Sequence, residues 1–580
     1  VTSGIDWFNV DGQMAFGDTV IRLPQILKRI EPGNLVRLEN GQFGMLPEGW
    51  MEQYGRLLQL GEQTDGPLRF RRAQGFLLDA MLAERERVTF DQKFVEFQQR
   101  VQQFAGIREV SVPATFQGTL RGYQCEGHNW LHFLREFGLG GCLADDMGLG
   151  KTVQVLALLE TRRWERIQSK QPHRPTLLVV PKSLVFNWMA EAERFTPQLK
   201  FLNYSGQNRK TLTDQIASAD VVLTTYATMR IDIGMLKDIE FDYAILDEAQ
   251  AIKNAQALTA KAALLVRADH RLALSGTPIE NRLSDLWSIF EFLNPGMLGI
   301  CSVFTELGRG EATQDTLQRL GQALKPMLLR RTKDQVLKDL PAKNEQTIVC
   351  ELESKQRKLY DEVLKYYRQS LTARINREGL NKSKIHVLEA LTRLRQIACH
   401  PALIDPAHRR VKSAKLEALY ENLESVIGEG HKALVFSQFT SLLAIVRQEL
   451  DKRQFTYEYL DGQTSNRKRC VERFNNDPSV PIFLLSLKAG GHGLNLTAAD
   501  YVFILDPWWN PAVEAQAIDR AHRIGQTKPV FAYRMIAKDT VEEKIVALQQ
   551  SKRELAEAIV RADTSVIKNL SMDDLQLLLT

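Results

Sequence analysis

The feature that most narrows the fold of this chain is the alternation of short, wholly apolar runs with stretches of helical spacing. "TLLVV" (176–180), "DVVLTTY" (220–226), "YAILDE" (243–248) and "RLALSG" (271–276) are too short for helices and leave no face for water. Between them lie segments such as "LVFNWMAEAERF" (184–195), whose apolar residues recur at helical intervals. Strands apolar on both faces, alternating with helices, belong to a parallel sheet covered on each side. The pattern returns after residue 430 with "KALVFSQF", "PIFLLSL" and "DYVFILDP". The chain therefore reads as α/β, with two parallel-sheet lobes and right-handed crossovers. Residues 310–425 are mostly helical in pattern and rich in Lys and Arg, and read as helical insertions plus the connection between the lobes.

The first hundred residues differ. "WFNVDGQMAFGDTVIRL" and "LVRLENGQFGML" read as strand–turn–strand, with Asp-Gly and Asn-Gly as turn formers. Helical stretches follow, among them "FVEFQQRVQQF" (94–104), and no catalytic signature is visible there. The expected divisions are an accessory α+β region (1–108), a first lobe (109–335), a helical insertion and linker (336–425) and a second lobe (426–580). The amphipathic stretch "VEEKIVALQQSKRELAEAIV" (541–560) reads as a helix that packs on a core.

Composition excludes several classes. No apolar run approaches the ~18 residues of a membrane span. The N-terminus "VTSGIDWFNVDG" lacks the basic and apolar regions of a secretion signal. The absent initiator Met points to a processed chain or an excised fragment. Six cysteines without a C-x-x-C pair indicate neither a zinc site nor a disulfide framework. A reducing, intracellular compartment fits best, either the cytoplasm or nucleoid of a bacterium or a eukaryotic nucleus. The net charge of +5 permits a polyanion partner without demanding one.

The chemistry starts at "LADDMGLGKT" (143–152). Its Gly148-Leu149-Gly150-Lys151-Thr152 closes a strand and opens a helix, offering backbone N–H groups and a positive helix end to phosphates. Lys151 is placed to reach β and γ phosphates, and the Thr152 hydroxyl to hold Mg²⁺. Asp145 stands where the usual motif has its first glycine. Such a loop calls for a second strand end carrying an acid, and "YAILDEAQ" supplies Asp247 for the metal and Glu248 for the attacking water. In "QAIDRAHRIGQ" (516–526), Gln516, Arg520 and Arg523 lie along one helical stretch that ends at Gly525, spaced i, i+4, i+7, so all three project from one face. Arginine forks there suit a transferring phosphoryl group; the alternative is a salt-bridged helix surface.

Taken together, "LADDMGLGKT", "LDEAQAIKN", "LSGTPIENRLSDLWSIFEFLNP", "LSLKAGGHGLNLTAADYVFILDPWWNP" and "QAIDRAHRIGQ" resemble the successive motifs of the Swi/Snf family, in a bacterial-type form. These are superfamily-two, helicase-like ATPases that translocate on duplex DNA. The resemblance spans roughly residues 115–560 and implies two RecA-like lobes, ATP and Mg²⁺ as cofactors, and double-stranded DNA as partner. It places Asp145-Asp146 at the family's Asp-Glu, so Asp146 joins Gly148 to Thr152 at the nucleotide. It implies that Gln124, in "LRGYQCEGHNWL" (120–131), reads the adenine; a surface glutamine is the plain alternative. "VVPKSLVFNW" and "TTYATM" resemble segments that hold the DNA backbone, which makes Lys182, Ser183 and Thr225 candidate contacts. Ser and Thr at strand ends also cap the next helix. In the second lobe, Ser437, Gln438, Lys488 and Trp508 resemble tracking-strand contacts, with lobe packing the equal alternative for Trp508. Leu487-Lys488 stand where the family often has Thr-Arg, and Gln250 where it often has His.

The implied function is an ATP-dependent duplex translocase that remodels or displaces DNA-bound proteins. Its rivals are a strand-separating helicase and a non-hydrolysing, ATP-gated clamp. No membrane partner and no zinc is expected.

Overall fold

The structure is a computed structural model that describes residues 2–3, 7–31, 34–38, 41–47, 61–63, 67–71, 74–75, 78–79, 88–102, 108–276, 283–299, 321, 324–337, 340–378, 380–464, 466–487, 494–508 and 511–547. These divide into two units, Val1–Asp146 with Gly150–Thr332, and Lys333–Thr580 with Met147–Leu149.

The first lobe contains the strands β1 (Gly141–Leu143), β2 (Thr176–Val180), β3 (Phe201–Asn203), β4 (Val221–Thr225), β5 (Glu240–Asp247), β6 (Arg267–Leu274) and β7 (Leu328–Leu329), of which β2, β4, β5 and β6 carry the four apolar runs. They hydrogen-bond in the order β3-β4-β2-β5-β6-β1-β7, and every pairing is parallel. All five residues of β2 and of β4 are buried, as a sheet covered on both faces requires. The helices between include α1 (Gly122–Phe137), α2 (Lys151–Ser169), α3 (Val185–Phe195), α4 (Tyr226–Leu236), α5 (Leu258–Leu265) and α6 (Leu283–Leu293). Two apolar clusters, one containing Leu178 and Ile245 and the other Val179 and Leu246, lie on opposite faces of the sheet.

The second sheet comprises β8 (Lys343–Cys350), β9 (Ala433–Ser437), β10 (Tyr457–Leu460), β11 (Ile482–Ser486), β12 (Tyr501–Ile504) and β13 (Val530–Ala537). Its order is β8-β13-β12-β9-β11-β10, again wholly parallel. Strand β8 departs from the sequence reading, which took 336–425 as helical. It pairs along its whole length with β13, from Lys343 opposite Val530 to Cys350 opposite Ala537. "KNEQTIVC" was missed because an edge strand exposed on most residues lacks the apolar run of a central one. The expected helical character holds beyond it, in α7 (Ser354–Glu378), α8 (Leu380–Cys399) and α9 (Ala414–Gly428). Helices α10 (Thr440–Lys452), α11 (Arg467–Asn476) and α12 (Pro511–Ile518) complete the unit. Residues 541–547 are helical, with Val541 and Ile545 buried against the α7–α8 pair; the remainder of 541–560 lies outside the described residues.

In the accessory region Gln13–Phe16 and Thr19–Arg22 form an antiparallel hairpin that turns at Gly17-Asp18, not at the Asp11-Gly12 expected from sequence. Trp7–Val10 pairs instead with Leu68–Arg71, because Phe8 and Val10 are buried beside Leu68 and Phe70 in the apolar cluster that continues into the first lobe. Burial of that face outweighs the local turn signal.

Candidate nucleotide and nucleic-acid site

The loop between β1 and α2 has positive φ at both glycines, +86° at Gly148 and +75° at Gly150. Glycine adopts that region without a Cβ clash. A Cβ on Gly150 would stand 2.5 Å from Gln124 Nε2, so the loop packs directly against that amide. The first turn of α2 has no acidic residue and no side-chain cap. Its backbone N–H groups and positive end therefore face the loop, a setting suited to a polyphosphate. Lys151 donates its ammonium to the carbonyls of Asp145 at 2.5 Å and Asp146 at 3.3 Å. Thr152 follows on the same turn, half-buried, while Leu149 is buried. Gln124 also accepts the Arg121 N–H at 2.9 Å, closing the first turn of α1.

Asp145 is no part of the phosphate-facing surface. Its carboxylate is fully buried and accepts Arg331 Nε at 3.0 Å, Arg331 Nη2 at 2.6 Å and Gln154 Nε2 at 3.2 Å. Arg331 also donates to Gln154 Oε1 at 2.9 Å and to the Tyr123 carbonyl, and lies over the Tyr123 ring at 5.2 Å. A carboxylate leaves water only when paired in this manner. The aspartate in the glycine position thus locks the loop to α1, α2 and the segment after β7. No local signal marks Arg331, 186 residues away.

Asp247 and Glu248 sit at the carboxyl end of β5. Asp247 Oδ2 accepts the Trp188 indole N–H at 2.8 Å, and Oδ1 accepts the Glu248 N–H at 2.9 Å. Burial, then the neighbouring Glu248 carboxylate, holds its pKa above the usual carboxylate value. The Trp188 bond and the Lys151 charge oppose that rise, so the phosphate-loop lysine lies close enough to act on this acid. Glu248 has φ +52° and ψ 54°, a left-handed conformation that costs about 1 kcal/mol or more in a non-glycine residue. Its Oε2 accepts Gln250 Nε2 at 2.6 Å, and Gln250 Oε1 in turn accepts the Ser275 hydroxyl at 3.2 Å. The amide at 250 therefore bridges the end of β5 to the end of β6, a role that an imidazole would meet with different geometry.

Among the first-lobe candidates for DNA, Lys182 is exposed and Ser183 half-buried, in the single 3₁₀ turn that precedes α3. Thr225 is buried and caps α4: its hydroxyl accepts the Thr228 N–H at 3.2 Å. In the second lobe the Ser437 hydroxyl is fully buried and donates to Asp506 at 2.5 Å, so it is committed internally. Gln438 N–H bonds the same carboxylate at 3.2 Å. Trp508 is half-buried against the second-lobe core, and its backbone N–H donates to Glu514 Oε1 at 2.7 Å. Lys488 and the segment 277–282 lie outside the described residues.

The helical spacing read for "QAIDRAHRIGQ" requires correction. Helix α12 ends at Ile518, so half-buried Gln516 is helical whereas Arg520 and Arg523 lie in the turns that follow. Past Ile518 the Arg520 carbonyl, which a continuing helix would spend on its own next turn, accepts the Leu496 N–H at 3.1 Å. Gln526 donates to the carbonyls of Thr497, Ala499 and Ala521, and Gly525 takes φ +103°. Those bonds hold the segment after α12 against the 494–499 loop. Arg520 is buried, and Arg523 donates to the Leu494 carbonyl at 3.3 Å.

Among the described residues no helix is long and apolar enough to cross a membrane.

Two family descriptions match the chain in succession. The SNF2-related domain matches residues 123–403 and the helicase conserved C-terminal domain residues 414–525. The chain is 40% identical over 491 residues to a putative ATP-dependent helicase/translocase of Bacillus subtilis, YwqA, covering 81% of this chain and 52% of that protein. It is 36% identical over 571 residues to the TATA-binding protein-associated factor MOT1 of Saccharomyces cerevisiae, covering 87% of this chain and 30% of that protein. The chain thus spans about half or less of the length of these relatives. A solved structure of the SWI2/SNF2 ATPase core of Sulfolobus solfataricus, in complex with double-stranded DNA, shares 36% identity, with 81% of this chain and 99% of that chain covered and a TM-score of 0.40. With both domains matched in order across most of its length, the chain belongs to the SNF2 family of ATP-dependent, helicase-like ATPases.

Proposed function

We propose that the chain is a DNA-dependent ATPase that couples hydrolysis to movement along duplex DNA and to displacement of bound proteins. The observation that carries this reading is a glycine-rich loop after β1, with Lys151 drawn onto its carbonyls, in the same parallel sheet as the buried Asp247–Glu248 pair at the carboxyl end of β5. The duplex as track is supported by the related core solved with double-stranded DNA, and a DNA-bound protein as target by the kinship with a TATA-binding protein-associated factor.

In the mechanism proposed, the 148–152 loop binds the β and γ phosphates through backbone N–H groups, and Lys151 exchanges its loop carbonyls for phosphate oxygens. Gln124, already packed on the loop, recognises the adenine. Thr152 and Asp247 present the oxygen donors that suit Mg²⁺, which when bound supplies positive charge against the phosphates. Glu248, aimed by Gln250, orients the attacking water and accepts its proton. Arg520 and Arg523 of the second unit stabilise charge on the transferring phosphoryl group, with Gln516 beside them in sequence. DNA contacts fall to Lys182 and Ser183, to the backbone at Thr225 and Ser437, whose hydroxyls are engaged internally, and to Gln438, Lys488 and Trp508.

The test is ATP turnover with and without duplex DNA. Duplex should stimulate the wild type, and Glu248→Gln should bind ATP yet turn over at least roughly a hundredfold more slowly. Arg523→Ala should keep ATP and duplex affinity while losing the stimulated rate, because its contact is made only in the transition state. On duplex, ATP should drive displacement of a third strand without release of a strand from a fork. Fork unwinding without third-strand displacement would instead favour the strand-separating helicase, and absent hydrolysis the clamp.

A further inference from the structure

Two side chains that the proposed reaction does not use converge on Asp247 from different elements. Trp188, on α3, is almost wholly buried and donates its indole N–H to Asp247 Oδ2 at 2.8 Å. Tyr226, the first residue of α4, donates its hydroxyl to the Asp247 carbonyl at 2.7 Å. Bulk packing alone does not ask for this: a phenylalanine at either position would fill the same core. The polar tips of both rings are spent on one residue.

The origin of the two helices gives that convergence its meaning. Helix α3 begins after β2 and α4 after β4, and the register sets these strand ends level, with Val180 opposite Thr225 and Val179 opposite Leu246. The first turns of both helices point their N–H groups toward this carboxyl edge, where Lys182 is exposed. The turn bearing Lys182 and Ser183 and the helix start at Thr225, proposed above to meet the DNA backbone, are therefore each joined to Asp247 within a turn or two of chain. The same helices carry Trp188 and Tyr226 to Asp247.

We propose that Trp188 and Tyr226 are positioning residues through which engagement of duplex DNA at 182–184 and 225–228 fixes the Asp247 carboxylate and backbone; this rests on the DNA-dependent ATPase reading. The indole bond holds the rotation of the carboxylate while each oxygen keeps a further lone pair for a ligand. The phenol bond holds the strand end from which Asp247 projects. DNA stimulation in this unit is thus a matter of aiming one acid.

The test uses amide hydrogen exchange of the full chain with a random-sequence duplex, in the absence of nucleotide and metal, alongside steady-state kinetics. In the wild type, duplex should slow exchange at 182–188 and 224–229 and also at 243–248. Trp188→Phe and Tyr226→Phe should keep the first protection and lose the last. Duplex-saturated kcat in Trp188→Phe should fall roughly ten- to a hundredfold, the usual cost of removing a partner that orients a ligand. The duplex concentration for half-stimulation should stay within about twofold, since the DNA surface itself is untouched. Retained protection at 243–248 in both variants overturns the proposal, as does a fall in kcat accounted for by weaker duplex binding. If Trp188→Phe fails to fold, Tyr226→Phe alone decides through its separate bond. A wild type in which duplex protects neither DNA segment overturns the DNA reading and this inference with it, and needs no variant to be seen.

Discussion

At the scale of single residues, the informative positions are those where the chain departs from the simplest form of its motifs. Asp145 takes the place of a glycine, and its reason is Arg331. Removing one partner of a buried ion pair strands the other charge, at a cost of about 3–5 kcal/mol. Asp145→Gly, which restores the commoner phosphate-loop sequence, should therefore lower unfolding free energy by about that amount in urea titrations. Arg331→Met in the same chain should recover part of the loss. A single Asp145→Gly variant within about 1 kcal/mol of wild type would show that the pair is dispensable. Glu248 makes the complementary point: its left-handed backbone is strain that the surrounding structure holds, and it would suit the aiming role proposed for that side chain.

At the scale of elements, the contact between α1 and α2 contains a pH-sensitive seam. His128 Nε2 lies 3.3 Å from the Thr161 hydroxyl of α2 and 3.2 Å from His132 Nε2, one turn along α1. Burial lowers the His128 pKa to about 4, and burial with the neighbouring His128 lowers that of His132 to about 3. Both rings are thus neutral in the folded state, whereas an unfolded histidine titrates near 6.5. The folded state binds fewer protons below that value, so stability is full above about pH 6.5 and falls as the pH drops toward about 4. At pH 5 the loss amounts to about 2 kcal/mol per ring. Replacing both by Gln should cost about 1–2 kcal/mol at pH 7 yet flatten the decline between pH 7 and 5. The measurement is the urea midpoint across that range, and an unchanged slope in the double variant would count against the seam.

At the scale of the whole molecule, the two units have separate apolar cores, one including Leu178 and another Leu484. Chains built in this manner rarely unfold in a single step. Calorimetry should resolve at least two transitions. Leu178→Ala and Leu484→Ala, each deleting a fully buried side chain at a cost of about 2–5 kcal/mol, should lower different ones. A single transition moved equally by both would mean that the cores melt together.

What the sequence determined by itself was set by local and periodic physics. The central strands β2, β4, β5, β9, β11 and β12 were legible because a strand covered on both faces must be apolar throughout, as "TLLVV" and "IFLLS" are. The glycine-rich loop and the acid pair were legible as strand-end features because each follows an apolar run, and the fold places them at the carboxyl ends of β1 and β5. What only the tertiary structure decided depends on residues distant in the chain. Strand β8 was hidden because its pairing with β13 is an edge contact that leaves its side chains in water. The end of α12 was hidden because the residues after Ile518 bond to the distant 494–499 loop, Arg520 through its carbonyl and Gln526 through its amide. Trp188 was visible as an aromatic in "LVFNW", but its hydrogen bond to an acid 59 residues away was not. Periodicity reports which face a residue turns to the core, whereas a buried polar tip is satisfied by whichever distant group the fold brings within about 3 Å.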